Sequence, residues 1–188
     1  MNIQIELVGP NIAGLAEDFH VNPDSCDNPE FYETYLKWIS YSDLSAGENT
    51  THLLTDKDSG DIIGFIALRA TSMISDEATM KGTPALEISV LAVNQKYEHM
   101  GYGKNLVDLA IMYATDLHEH WIGVHDIVLM ADHKAVDFYK RLKFRVLEDY
   151  MNIPKLNWNK TCVPMVLRLG FGMGPSFACY DSDDEDDE

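Results

Sequence analysis

The stretch best suited to chemistry is a Gly-x-Gly turn, where Gly101 and Gly103 lie between an apolar run and an amphipathic one. A turn that leads into a helix presents backbone N–H groups without intrahelical partners, at the positive end of the helix dipole. Because glycines let a ligand approach that backbone closely, the turn predicts an anion site, usually one for phosphate. Its candidate donors are the backbone amides of Met100, Tyr102, Lys104 and Asn105 and the ammonium of Lys104.

Two familiar phosphate motifs fit this turn poorly. The dinucleotide-binding fingerprint has a third glycine at the position of Leu106. The P-loop has serine or threonine after its lysine, whereas Asn105 follows Lys104 here. A lone Gly-x-Gly also occurs as a plain structural turn, so the turn by itself leaves both interpretations open.

The elements that would hold this turn follow from the hydrophobic pattern, since period-2 or short apolar runs predict strands and 3.6-residue periodicity predicts helices. Predicted strands cover residues 3–8, 51–55, 61–71, 83–93, 125–131, 144–151 and 162–169. Predicted helices cover residues 28–40, 133–144 and a segment starting near 103. In the first helix Phe31, Tyr35, Trp38 and Ile39 recur at helical spacing and are expected on one packed face. Strands come early and alternate with helices later, which predicts a mixed sheet with helices packed on it.

Residues 86–110, "LEISVLAVNQKYEHMGYGKNLVDLA", resemble the central motif of the GNAT superfamily of acyl-CoA-dependent N-acyltransferases. That motif combines a strand, a loop with an aromatic residue, the glycine turn and a helix. Residues 132–144, "DHKAVDFYKRLKF", resemble the family's next motif, with Ala135, Phe138, Tyr139 and Phe144 at matching positions. Three positions depart from the family: Glu98 replaces Arg or Gln, Asp132 replaces Asn and Lys143 replaces Gly.

The resemblance implies an α/β (α+β) fold, with a mixed, largely antiparallel central sheet of six or seven strands and helices on both faces. The domain is expected to span residues 1–170, followed by a C-terminal segment, 171–188. It also implies acetyl-CoA as the cofactor. The cofactor-binding residues that it implies are Leu91, Ala92, Val93, His99, Met100, Gly101, Tyr102, Gly103, Lys104, Asn105 and Asp132.

The implied reaction is N-acetyl transfer to a primary amine by direct attack in a ternary complex. Tyr139 matches the family's general acid, which protonates the departing thiolate, although an aromatic packed in a helix stripe is the alternative. Strand alternation places Glu87, Ser89 and Leu91 on one face and the residues between them on the other. Glu87 is therefore a candidate general base, directly or through water, and equally a structural carboxylate that pairs with a neighbouring element.

The negative charge of the chain indicates which kinds of partner it can bind. The formal net charge is -17, and seven acids stand in the last eight residues, 181–188, which are expected to form a disordered acidic tail. Such a field repels nucleic acid and anionic membranes and attracts cations. We therefore expect a cationic acceptor, either a small molecule or a protein amine, and no nucleic-acid or membrane partner. The alternative is a non-catalytic acyl-CoA sensor or an acidic protein-interaction module on the same fold.

The remaining features predict a cytoplasmic protein. No apolar run is long enough to span a bilayer, the N-terminus lacks a secretory pattern, and three cysteines are scattered. His118, His120 and His125 lie close in sequence, but no cysteine or carboxylate pair completes a ligand set, so no metal site is expected. The oligomeric state stays open between a monomer and a homodimer.

Overall fold

The computed structural model describes residues 2–76, 81–147 and 162–170, in which seven strands form one sheet. The sheet has the order β1-β2-β3-β4-β5-β7-β6, and only β4 and β5 are parallel neighbours. The strands are β1 Ile3–Leu7, β2 Thr50–Asp56, β3 Ile62–Asp76, β4 Lys81–Val93, β5 Asp126–Asp132, β6 Arg145–Val146 and β7 Cys162–Arg168. The predicted mixed, largely antiparallel sheet is confirmed.

Five α-helices of the described residues cover the sheet. They are α1 Ile12–Leu15, α2 Pro29–Thr34, α3 Ser40–Ala46, α4 Tyr102–His120 and α5 Val136–Arg141. Short 3-10 turns at Gln95–Tyr97 and His133–Ala135 lead into α4 and α5. Asn28 begins α2 as predicted, because its side chain accepts the Phe31 backbone N–H (3.2 Å) and Pro29 occupies the first helical position.

Each face of the sheet has its own apolar core. On one face α4 and α5 pack over β3, β4 and β5, with Ile66, Leu106 and Ile127 buried. On the other face α1, α2 and α3 cover the first half of the sheet, around Phe19 and Phe65, whose ring centroids lie 5.6 Å apart. Neighbouring residues of β3 thus serve opposite cores, as strand alternation requires.

A π-helical turn over Tyr35–Ile39 joins α2 to α3 and changes which residues are buried. The wider turn moves the following residues around the axis, so Ser40 is fully buried and its hydroxyl donates to the Leu36 carbonyl (2.6 Å). Trp38 is 69% exposed and Ile39 also lies at the surface. The expectation that these two share the packed face with Tyr35 is wrong, because it assumed unbroken α-helical spacing.

A β-bulge at Ser89 changes which residues of β4 point to each face of the sheet. Val90 pairs with Ala67 and Ile88 with Leu68, which leaves Ser89 as the extra residue. Ile88 therefore belongs to the core beneath α4, and Leu91 and Val93 pack against that same core. Simple alternation had put Leu91 on the Glu87 face, and this prediction is wrong beyond the bulge.

The two parallel strands at the sheet's centre pair over a short length. The β4–β5 ladder runs from Ala85–Asp126 to Ile88–Leu129, although the strands continue to Val93 and Asp132. Beyond the last pair, no strand among the described residues pairs with the edge of β4 that faces β5. This gap positions the candidate site.

Some predictions fall on other parts of the chain. The strand predicted over 144–151 appears as Arg145–Val146 in the described residues, and its remainder from 148 lies outside them. The segment 171–188, with its acidic residues, also lies outside the described residues. In the part of the chain that the structure describes, no helix is both long and apolar enough to cross a membrane.

Candidate active site

A cavity of about 660 Å³ lies in the gap between β4 and β5. One wall is β4 from Ile88 to Val93, and the other is the end of β5 from Leu129 to Asp132. Phe138 and Tyr139 of α5 line it, as do residues of the loop that precedes α2. The cavity therefore brings together the loop before α2, β4 and the β5–α5 region, which are three separate parts of the sequence.

The Gly-x-Gly turn forms the start of α4. Gly101 precedes the helix at φ +89°, a conformation that side chains disfavour, so glycine is required there by the backbone. A Cβ on Gly103 would lie 3.3 Å from the Phe138 ring, so this glycine permits close packing of α4 on α5. The Asn105 N–H donates to the Gly101 carbonyl (3.2 Å). The prediction that the Asn105 amide is available to an anion is therefore wrong, because the helix already uses it.

The side chains around this turn are mostly at the surface. His99 and Met100 are exposed, and His99 adopts a positive φ of 61°. The Lys104 ammonium pairs with Asp108 one turn along α4. An exposed i,i+4 pair of this kind is weak, so it leaves Lys104 able to exchange partners.

Tyr139 is buried in the cavity wall with 7% exposure. Its ring packs edge-on against Phe138 and Phe144, with centroid distances of 4.9 and 5.5 Å. Burial raises the pKa of the phenol well above its usual value, and the nearby Tyr32 hydroxyl adds to the rise. Tyr139 therefore stays protonated across the physiological range and is able to donate.

Glu87 lies outside this cavity. The Arg69 guanidinium donates to both of its oxygens (2.9 and 2.8 Å) from the directly opposite position on β3. The bond to Glu87 raises the pKa of Arg69 further, so the guanidinium stays charged. Arg69 and Glu87 line a second cavity of about 260 Å³, with Met130 and Pro164. These contacts favour the structural interpretation of Glu87, which the sequence left open.

The two acids that depart from the family motifs are engaged by the chain itself. Glu98 accepts a hydrogen bond from the Asn22 amide (2.8 Å). The Asp132 carboxylate accepts the backbone N–H groups of Asp27 (2.7 Å) and Lys134 (2.9 Å). Both acids line the large cavity, so their side chains hold its walls and its covering loop together.

The structure thus groups the predicted site residues in three places. Leu91, Ala92, Val93, Asp132 and Tyr139 surround the large cavity, residues 99–105 form the turn and first residues of α4, and Glu87 lines the second cavity. Sequence reasoning missed Arg69, Asn22 and the cavity-lining Cys26. Only the β3–β4 register could have revealed Arg69, and no local signal distinguishes Asn22 or Cys26 from the other residues of their loop. Among the described residues no three potential ligands gather around a metal position.

Residues 13–144 match the family model described as the acetyltransferase (GNAT) family. No curated protein sequence matches the chain. One similar solved structure is a mutant of the toxin AtaT bound to the C-terminus of the antitoxin AtaR and acetyl-CoA. It shares 16% identity and a TM-score of 0.64 over 89% of this chain and 94% of that one. AtaT complexed with acetyl-methionyl-tRNAfMet (17%, TM-score 0.66, 87% and 94%) and a KacTA–DNA complex (18%, 0.64, 89% and 93%) have similar folds.

Proposed function

The chain belongs to the GNAT acetyltransferase family and is an acyl-CoA-dependent N-acyltransferase with acetyl-CoA as its cofactor, and from this premise we propose that it acetylates a primary amine by direct attack in a ternary complex. The observation that carries this proposal is the cavity between β4 and β5 beyond the Ile88–Leu129 pair. There one edge of β4, which no described strand pairs with, lies beside a buried tyrosine. Acetyl-CoA supplies an acyl group activated as a thioester.

The residues present fit this cofactor. We assign the pantetheine arm to the open edge of β4 at Leu91, Ala92 and Val93, where backbone N–H and C=O groups supply hydrogen bonds. An N–H from this edge would polarise the thioester carbonyl. We assign the diphosphate to the start of α4, where Gly103 and Lys104 lie in the first turn and the helix dipole favours an anion.

Tyr139 is the proposed proton donor. Its neutral hydroxyl, which is buried in the cavity wall, would stabilise the negative charge on the departing sulfur and donate a proton to it. Tyr139→Phe keeps the ring that packs between Phe138 and Phe144 and removes only the hydroxyl. We expect kcat to fall roughly 10²-fold or more, with acetyl-CoA affinity and melting temperature near those of the wild type. An unchanged kcat would remove Tyr139 from the mechanism.

A cationic acceptor fits the walls of the site. Asp27, Glu98 and Asp132 contribute carboxylates to the cavity, and Phe31 and Tyr32 contribute aromatic rings. Carboxylates and aromatic faces attract ammonium groups, and the chain's charge of -17 adds a long-range field of the same sign. We therefore propose a cationic small molecule or a protein amine as the acceptor.

An aminoacyl-tRNA amine is a second candidate. Similar folds have been solved with acetyl-methionyl-tRNAfMet and with DNA. In this acidic chain, four exposed cations follow one another over α5 and β6: Lys140, Arg141, Lys143 and Arg145. Such a cluster suits a phosphate backbone, so the exclusion of nucleic acid from net charge alone does not hold.

Thiol release from acetyl-CoA, measured with a panel of polyamines, basic peptides and aminoacyl-tRNA, distinguishes these acceptors. Acceptance of small cationic amines, with a KM that rises with salt, supports the first candidate. Turnover of aminoacyl-tRNA that fails in a Lys140→Ala/Arg141→Ala/Lys143→Ala variant supports the second. Tight acetyl-CoA binding without turnover of any amine would instead support the non-catalytic sensor.

A further inference from the structure

The loop between α1 and α2 crosses the cavity and is fixed at both ends. This loop, residues 20–28 and here called the strap, contributes Val21 and Cys26 to the lining of the cavity. Directly after it comes α2, which brings Tyr32 into the same wall. The strap's position therefore sets the shape of that side of the cavity.

On the β4 side, the strap is held by two hydrogen bonds. The Gln95 backbone N–H donates to the His20 carbonyl (2.8 Å). The Asn22 side-chain amide donates to Glu98 (2.8 Å), on the loop that leads into α4. One end of the strap is thereby attached to the segment that carries the glycine turn.

On the β5 side, the strap is held more extensively. The Asp132 carboxylate accepts the Asp27 N–H (2.7 Å). The Lys134 ammonium donates to the carbonyls of Pro23 (3.1 Å) and Cys26 (3.2 Å) and lies 3.5 Å from the Asp27 carboxylate. The other Asp132 oxygen accepts the Lys134 backbone N–H, so the two residues that hold the strap on this side also stabilise each other's position.

These contacts connect the two walls of a cleft whose strands no longer pair with each other. We propose that Glu98 and Asp132 are positioning residues that hold the strap across the cleft and thereby determine which acceptor amine reaches it. This proposal rests on the proposed function and deepens it. The two acids are also two of the three positions that depart from the family motifs, so these two departures both serve to hold the strap.

Geometry assigns the strap to the acceptor rather than to the cofactor. On the opposite face α4 and α5 close the cleft, with Gly103 tight against Phe138. The strap covers the remaining side, where it presents Asp27 beside Tyr32 and Phe31. A second substrate that approaches a thioester held between the strands meets these residues first.

Paired substitutions at Glu98 separate its hydrogen bond from its charge. Glu98→Gln keeps an oxygen that accepts from Asn22, whereas Glu98→Ala removes it, and both remove the negative charge. Both variants lose the charge that faces the amine, so we expect the amine KM to be about five- to tenfold higher in Glu98→Ala than in Glu98→Gln, as loss of one partly buried hydrogen bond implies. Acetyl-CoA affinity should be equal in the two variants.

Amide hydrogen exchange of the full-length chain tests the strap without catalysis. Asp132→Ala should speed exchange at Asp27 about tenfold, whereas Asp137→Ala, which changes an exposed acid on α5, should leave it unchanged. Equal exchange in wild type and Asp132→Ala would overturn the anchoring. An amine KM that is the same in Glu98→Ala and Glu98→Gln, or acetyl-CoA affinities that differ severalfold between these variants, would overturn the acceptor role. If the wild-type chain binds acetyl-CoA but turns over no amine, the proposed function is refuted instead. The exchange and affinity results would still show whether Glu98 and Asp132 hold the strap in place.

Discussion

The Arg69–Glu87 pair permits a sharp test of whether Glu87 acts as a base. Both Glu87 oxygens accept from the guanidinium, and Glu87 is 17% exposed while Arg69 is 47% exposed. Glu87→Gln retains one acceptor oxygen and loses the charge. Because solvent screens the half-exposed guanidinium, we expect a loss of about 1 kcal/mol of unfolding free energy. In a chain of 188 residues, that lowers the melting temperature by about 2–4 °C.

The kinetic consequence differs more widely between the two roles. Removing a general base lowers kcat roughly 10²–10⁴-fold, whereas weakening a structural pair leaves kcat within about fivefold. We expect the smaller effect, because the Arg69 guanidinium already binds both Glu87 oxygens and Glu87 does not line the large cavity.

Arg69→Gln is the matched control, since it breaks the same pair from the other strand. If Glu87 acts only through the pair, both variants should lose similar stability and similar activity. The assay is kcat by thiol release at several pH values, beside thermal unfolding of each variant. A 10²-fold fall in kcat for Glu87→Gln with an unchanged melting temperature, while Arg69→Gln remains active, would refute the structural role.

Three further substitutions test how single residues contribute to the stability of the fold. Gly101→Ala forces a side chain into the positive-φ turn and should cost about 1 kcal/mol of stability, measured in urea against the open control Gly123→Ala. Asn94→Ala should cost about 2–3 kcal/mol in the same assay, because buried Asn94 donates to the Asp18 and Ile62 carbonyls and accepts the Lys96 N–H. Burial lowers the pKa of His52, so the unfolded chain binds more protons below about pH 6.5. Stability should therefore fall as the pH drops from 6.5 towards the folded pKa, and urea unfolding of His52→Gln should lack that decrease.

Much of the sheet could be predicted from local pattern. The β2–β3 hairpin, β4, α4 and β7 follow from apolar periodicity, and two motifs in the correct order established the fold. The exceptions share one cause, which is a single inserted residue. The bulge at Ser89 and the π turn at Tyr35–Ile39 each shift a face by one position, and neither leaves a mark in hydrophobic periodicity.

The site was less predictable, because its contacts join residues far apart in sequence. Asp132 could be placed beside the cavity from its motif, but its bond to the Asp27 N–H spans 105 positions. Glu98 and Asn22 are 76 positions apart. The sequence shows that each acid is unusual for its motif, whereas only the folded chain shows that both serve the same loop.

The charge of the chain poses a problem that the structure resolves locally. A protein of net charge -17 must hold an anionic cofactor, yet Lys104, the cation nearest the glycine turn, already pairs with Asp108. Backbone dipoles at the start of α4 act over the first turn and need no cationic side chain. Glu98 would oppose an anion there, but the Asn22 amide draws its carboxylate into the strap contact. In the proposed scheme the Asn22–Glu98 hydrogen bond therefore matters for both substrates. It holds the Glu98 carboxylate, whose negative charge opposes the cofactor's phosphates, against the strap, and it fixes the loop that faces the amine.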